Sequence, residues 1–144
     1  MKYFGTYDRS LDEKGRLQIP PKLLEREGEN AFYLLKGFEG CISIFDQKGF
    51  DRYLQKLEEL DFFDEETRGF IRQTAASIVP LKFDSHGRIQ IGKAILDAYG
   101  IGRNVTVIGC LDHFEIWDPT AYASYALRTS LGFDHVRPKA KYNG

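Results

Sequence analysis

The sequence predicts an α+β fold, mainly β: a pseudo-symmetric β-barrel of two interleaved repeats with flanking helices. Three observations lead there. One stretch occurs twice, Asp12-Glu13-Lys14-Gly15-Arg16-Leu17-Gln18-Ile19 returning 72 positions later as Asp84-Ser85-His86-Gly87-Arg88-Ile89-Gln90-Ile91. The register then continues without a gap, pairing Leu24 with Leu96, Gly28 with Gly100, Gly37 with Gly109, Ile44 with Ile116 and Asp46 with Asp118. Self-similarity of this length marks one supersecondary unit used twice. Finally, four short strands and one longer helix per copy are too little to enclose a core alone, so the copies must share one.

Taken in order, residues 2–10 mix aromatic and polar side chains and read as the first strand of a hairpin. Asp12 and Gly15 suit the first and fourth positions of a type I turn. The Asp can bond its own backbone, and the Gly accepts the left-handed conformation that closes such a loop. Arg16, Leu17, Gln18 and Ile19 then alternate polar and apolar, the period of a strand with one wet face. Residues 15–19 are thus the hairpin's second strand. Arg16 and Gln18 project away from the core together, as do Arg88 and Gln90. A polar pair beside a turn, presented twice, reads as a contact surface; the plainer alternative is an Asp–Arg pair that pins a hairpin.

Pro20-Pro21 ends the strand and suits the start of a short helix from Lys22 to about Glu27, capped by Gly28. A second hairpin follows over 31–36 and 41–45, turning through Gly37-Phe38-Glu39-Gly40. Asp46 is placed to cap a helix reaching about Leu60, with Phe50, Tyr53, Leu54 and Leu57 on one face. Residues 61–77 predict a further helix, acidic at its start as the helix dipole favours. The second unit repeats the plan: strand 78–83, turn 84–87, strand 88–91, a short helix 93–99 closed by Gly100, and a hairpin of 104–108 with 113–117. Asp118-Pro119 is a strong helix start, for a helix reaching about Ser130. The rest, with Arg137, Lys139 and Lys141, reads as a mildly basic, mobile tail. The divisions expected are a first repeat at 5–47, a helical connector at 48–76, a second repeat at 77–120, and a C-terminal helix and tail at 121–144.

Composition narrows the function. The chain has 144 residues and a formal net charge of −1, so no global basic field announces a nucleic-acid partner. Charge is segregated instead. Arg9, Lys14, Arg16 and Lys22 flank one loop, Lys82, His86, Arg88 and Lys93 the other, while Glu58, Glu59, Asp61, Asp64, Glu65 and Glu66 gather elsewhere. No apolar run approaches the roughly 20 residues of a membrane span, and the first residues lack a signal-peptide core. A cytoplasmic protein is expected. Cys41 and Cys110 suggest neither a disulfide framework nor a paired-thiol site. His113 lies near Cys110, but no second ligand pair is evident, so no metal and no cofactor are expected.

A strand, an Asp-x-x-Gly-Arg turn, a strand ending in Ile-Pro and a short helix together resemble the SpoVT/AbrB-type swapped-hairpin domain. Two such units, opening with Phe4-Gly5-Thr6-Tyr7-Asp8-Arg9-Ser10-Leu11-Asp12-Glu13-Lys14-Gly15-Arg16, resemble the MraZ family. The likeness covers the chain to about residue 130. It implies a nucleoid-associated transcriptional regulator, of repressor type, acting at the promoter of a cell-division and cell-wall gene cluster. The implied partners are double-stranded DNA carrying short direct repeats and further copies of the chain in a ring-like homo-oligomer. It further implies that Lys14, Arg16, His86 and Arg88 meet the DNA, with Asp12, Gly15, Asp84 and Gly87 supporting the loops.

The residue chemistry agrees with that reading. Arg can read guanine bidentately, Gln can read adenine, and Lys neutralises phosphate. His is mostly neutral at pH 7 and adds less. With so few basic contacts per subunit, oligomerisation becomes part of the mechanism. The rival is an antitoxin-like protein-interaction module without direct DNA readout, docking through the acidic 58–66 stretch and the tail. An enzyme is not expected. There is no P-loop, nucleophile elbow, His-Glu-x-x-His or dinucleotide fingerprint, and the Arg beside each loop Asp favours permanent ionisation.

Overall fold

A computed structural model describes residues 3–21, 31–135 and 138–140. Among them are eight strands, β1 (Thr6–Ser10), β2 (Arg16–Gln18), β3 (Ala31–Lys36), β4 (Ile42–Asp46), β5 (Val79–Lys82), β6 (Arg88–Gln90), β7 (Asn104–Gly109) and β8 (Phe114–Trp117). The helices are α1 (Gln47–Glu58), α2 (Glu65–Ala76), α3 (Lys93–Ala98) and α4 (Pro119–Ser130). The helix expected from Lys22 to Glu27, and Arg137 and Lys141 of the tail, lie outside the described residues.

Six strands form one antiparallel sheet in the order β1-β7-β8-β4-β3-β5, and β2 pairs with β6 in a separate ribbon. Exchanging each strand for its counterpart in the other repeat reverses the order of the large sheet and leaves it unchanged. The pseudo-symmetry read from the sequence is therefore carried by the backbone pairing. The exchange corrects the expected first hairpin, because β1 pairs with β7 and β2 with β6, both in the other repeat. Leu17 and Ile89 face each other across the ribbon with no exposed surface. They join Ile19, Ile91, Leu34, Ile42, Ile44, Val105, Val107, Phe114 and Ile116 in one core. A hairpin closed within one repeat would not bring these apolar sets together.

A closed barrel is also expected, and the sheet is instead open, with β1 and β5 as its edges. Because β2 and β6 pair with each other, neither forms a ladder with β1 or β5; a single bridge from Phe83 to Ile89 links the ribbon to the second unit. The ungapped repeat needs a second correction. Lys36 pairs with Ile42, whereas Gly109 pairs with Phe114, so Gly109 is the counterpart of Lys36 and not of Gly37. The first turn spends an extra residue in a 3₁₀ turn, Phe38–Gly40. The second is one residue shorter, and each turn holds a non-glycine residue in the left-handed region, Glu39 at φ 58° and Leu111 at φ 72°.

Three of the four helices described start where the sequence places them, at Gln47, Lys93 and Pro119, and α2 starts four residues later than expected. Asp46, Asp64 and Asp118 accept hydrogen bonds from the backbone N–H groups of Gly49, Thr67 and Ala121. Residues 61–64, expected within α2, form a turn ahead of it, with the Asp64 N–H donating to the Asp61 carbonyl. Phe50 and Leu57 of α1 are buried, and the Phe50 ring stacks 4.0 Å from Tyr33. On α4, Tyr122 and Tyr125 each lie 5.1 Å from Trp117. Central β4 is buried at all five positions, because the core covers one face and helix-side packing the other. The alternation of Ile42 and Ile44 therefore marks the core face, not the boundary with solvent.

Two glycines show how tightly parts of this frame are packed. A Cβ on Gly109 would collide with the backbone nitrogen of Phe4, whereas one on Gly69 of α2 meets nothing within 4 Å. Gly109→Ala is expected to destabilise the protein by about 2–4 kcal/mol. Gly69→Ala should stabilise it by about 0.5–1 kcal/mol through helix propensity. Urea midpoints of the two variants against wild type check both signs.

Candidate nucleic-acid interface

Each repeated loop is built around one carboxylate. Asp12 Oδ1 accepts from the backbone N–H of Lys14 and of Arg16, each at 2.9 Å, and Oδ2 accepts from Arg16 Nε at 2.6 Å. Asp84 repeats this with His86 N–H at 2.8 Å, Arg88 N–H at 3.0 Å and Arg88 Nε at 2.9 Å. The Gly15 and Gly87 N–H groups close the turns onto the Asp12 and Asp84 carbonyls. Gly15 has φ 72° and Gly87 φ 74°, the left-handed region where a Cβ is strained.

The two loops also hold each other. Gln18 Nε2 donates to the His86 carbonyl at 3.0 Å, and Gln90 Nε2 donates to the Lys14 carbonyl at 3.3 Å. The Ile19 N–H bonds the Gly87 carbonyl, and the Ile91 N–H bonds that of Gly15. Arg88 Nη1 lies 4.0 Å from Asp12 Oδ2, across the boundary between repeats. Lys14, Arg16, His86 and Arg88 are thus gathered on one surface. Lys14 and His86 stand exposed at the tips, and the two arginines are partly buried beside them. Gln18 and Gln90, expected to project beside the arginines as a contact surface, give their amide N–H groups to the neighbouring loop. Their recurrence in both repeats was the available signal of a structural role.

Electrostatics keep the loop carboxylates charged. For Asp12 the largest influence is the Arg16 backbone N–H; partial desolvation opposes it, and the Arg16 guanidinium and Lys14 N–H add to it, leaving the pKa lowered. Asp84 is lowered in the same way, first by the Arg88 backbone N–H, with desolvation opposing. Around the loops Lys82 is exposed, Arg9 lies 5.5 Å over the Tyr7 ring, and Lys93 is 3.9 Å from Asp97.

Interleaved repeats that present twin Asp-anchored arginine loops from one surface define a class: a pseudo-dimeric, two-repeat fold within one chain. A family model described as "MraZ protein, putative antitoxin-like" matches residues 3–73 and again 77–141. A protein of Mesoplasma florum is 35% identical over 125 residues, covering 87% of this chain and 86% of its own. One from Acetivibrio thermocellus is 31% identical over 137 residues, 95% of each chain, and one from Paenarthrobacter aurescens 36% over 137 residues, 93% of each. All three bear the name Transcriptional regulator MraZ. The chain belongs to the MraZ family.

The lowered carboxylates set a pH dependence. Their contribution to stability is complete above the ordinary carboxylate pKa and is lost only as the pH falls through the lowered folded values. Carbon-detected NMR titration should give Asp12 and Asp84 midpoints below the ordinary 3.8. A midpoint at or above that value would mean the loop does not grip its carboxylate.

Proposed function

We propose that this protein is a sequence-specific DNA-binding transcriptional regulator that meets the double helix through the Asp12–Arg16 and Asp84–Arg88 loops. The observation that carries the reading is the duplicated, cross-clasped loop pair, with Arg16 and Arg88 oriented by hydrogen-bonded carboxylates on one surface. A guanidinium that gives its Nε–H to a carboxylate still has four N–H groups at its Nη atoms. Two of these suffice for the O6/N7 edge of guanine in the major groove. Lys14, and to a lesser degree His86, neutralise phosphate at the loop tips. Relatives named as transcriptional regulators support the same class.

In this reading the open sheet and the β2–β6 ribbon are built from two interleaved swapped-hairpin repeats of SpoVT/AbrB type, at 5–47 and 77–120. The connector at 48–76 and the segment 121–144 flank it. The target is the promoter of a cell-division and cell-wall gene cluster, repression is the sense of regulation, and the protein works in the cytoplasm at the nucleoid. No described helix is long and apolar enough to cross a membrane.

One subunit offers few cationic contacts, so affinity comes from several subunits in a ring-like homo-oligomer on direct repeats. The connector supplies a surface for this. Phe63 is 95% exposed and Phe62 50%, beside a groove lined by Leu54, Leu57, Leu60 and Ile71. An exposed apolar patch of this kind marks an association surface. Phe63→Asp is expected to shift the protein to smaller species in light scattering, with its circular dichroism unchanged.

The deciding experiment is fluorescence anisotropy with the gene's own upstream DNA and a mixed-sequence duplex at several salt concentrations. Arg16→Lys and Arg88→Lys keep the charge but lose the planar fork, and each is expected to cost about 1–3 kcal/mol on the upstream DNA. Lys14→Ala should weaken both duplexes alike and flatten the salt dependence. The antitoxin-like wording of the family description favours a second reading, a protein-interaction module. That reading prevails if the folded, oligomeric wild type binds neither duplex at low salt.

A further inference from the structure

The turn between β7 and β8 gathers a set of side chains that the loop surface does not use. We propose that Cys110, His113 and Glu115 form a divalent-metal site, for which zinc is the ion best suited. One ligand atom from each residue lies within 4.8 Å of the other two. His113 Nε2 and Glu115 Oε2 are 3.1 Å apart. Zinc bonds of about 2.0–2.3 Å in a tetrahedral shell put ligand atoms roughly 3.3–3.8 Å from one another. The imidazole and the carboxylate therefore already stand near the required spacing, and the thiol lies close enough for side-chain rotation to complete the set.

The surroundings match those of a metal site as well as the ligands do. His113 Nδ1 is 2.7 Å from Asp112 Oδ1, the carboxylate–histidine partnership that fixes the tautomer and turns Nε2 towards an ion. Trp117 Nε1 donates to Glu115 Oε1 at 2.9 Å, holding that carboxylate by the oxygen that does not face His113. The imidazole stacks 4.7 Å from Phe45. The side chains of His113 and Glu115 are 19% and 17% exposed, so an ion can enter and keep a water as its fourth ligand. A thiolate, an imidazole and one carboxylate form a mixed sulfur–nitrogen–oxygen set that suits zinc and disfavours magnesium or calcium.

The chemistry balances as a proton exchange. Burial, with Glu115 nearby, pushes the Cys110 thiol up to about 12, so ion binding releases the thiol proton to solvent. The site belongs to the second repeat alone, since the positions corresponding to His113 and Glu115 in the first are Cys41 and Ser43. It also lies at the far end of β7 from the arginine loops. Leu11 bonds Arg103 just before β7 begins, whereas Cys110 and Leu111 follow its other end, where Leu111 pairs with Tyr3. The metal would tie the β7–β8 turn, and through it the segment at Tyr3, without touching the loop surface.

Cobalt(II) tests this on the full-length, untagged protein after chelator treatment and desalting. One equivalent is expected to produce tetrahedral ligand-field bands and a near-ultraviolet thiolate-to-cobalt charge-transfer band, both removed by added zinc. The chain has two cysteines, so Cys41→Ser, which should keep the band, assigns the thiolate to Cys110 even if Cys110→Ser does not fold. Glu115→Gln should weaken cobalt binding at least about tenfold, a loss that even outer-shell changes can produce. Wild type without a charge-transfer band at saturating cobalt would overturn the site and leave the three side chains a hydrogen-bonded cluster. A band lost in a folded Cys41→Ser, or kept in Cys110→Ser, would overturn it equally.

Discussion

The ribbon of β2 and β6 consists of three residue pairs, Arg16–Gln90, Leu17–Ile89 and Gln18–Arg88, and everything the two loops present depends on it. Strands this short do not persist alone. They persist here because Leu17 and Ile89 are sealed on their inner side and Ile19 and Ile91 continue into the same core. Burying side chains of this size contributes about 1.5–3 kcal/mol each. The partly exposed Asp–Arg pairs contribute little to stability beside this; their main effect is orientation. Core burial fixes where the loops are, and hydrogen bonding to Asp12 and Asp84 fixes which way the arginines face.

For the DNA contact proposed above, that separation has a thermodynamic advantage. A long cationic side chain on an open surface loses rotamer freedom when it binds, which subtracts from affinity. Arg16 and Arg88 have already been confined by their carboxylates, and the loop backbones by Gln18 and Gln90. In that proposal, polar groups that look like readers when taken one by one divide into a pair held ready and a pair that does the holding.

The same division explains what was legible in the sequence. Asp46 and Asp118 announce their helices because capping is a contact between neighbours in the chain, and Gly15 and Gly87 announce their turns for the same reason. Strand partners are another matter. Nothing within residues 6–18 tells β1 to seek Val105 and Val107 instead of Leu17, since any half-apolar strand could satisfy its backbone. The one-residue offset of β7 was hidden because Gly37 and Gly109 happen to stand in ungapped register, and the pairings of Gly109 with Phe114 and of Asn104 with Ser10 reveal it. Cys110 and His113 were visible as neighbours. Glu115 was not, because on an alternating strand it reads as an ordinary outward-facing acid until Trp117 and His113 close around it.

The exchange of strands also bears on how the chain comes off the ribosome. Ser10 pairs with Asn104, and β4 lies against β8 at the centre of the sheet. When the first repeat has been synthesised, β1 has no partner, β2 has no ribbon, and the apolar face of β4 has no neighbour on one side. Pairings this distant in sequence form late and slowly, and unpaired strand edges invite association with other chains meanwhile. A nascent first repeat therefore cannot mature ahead of the second; the two halves must fold as one cooperative unit once residues beyond Trp117 have emerged.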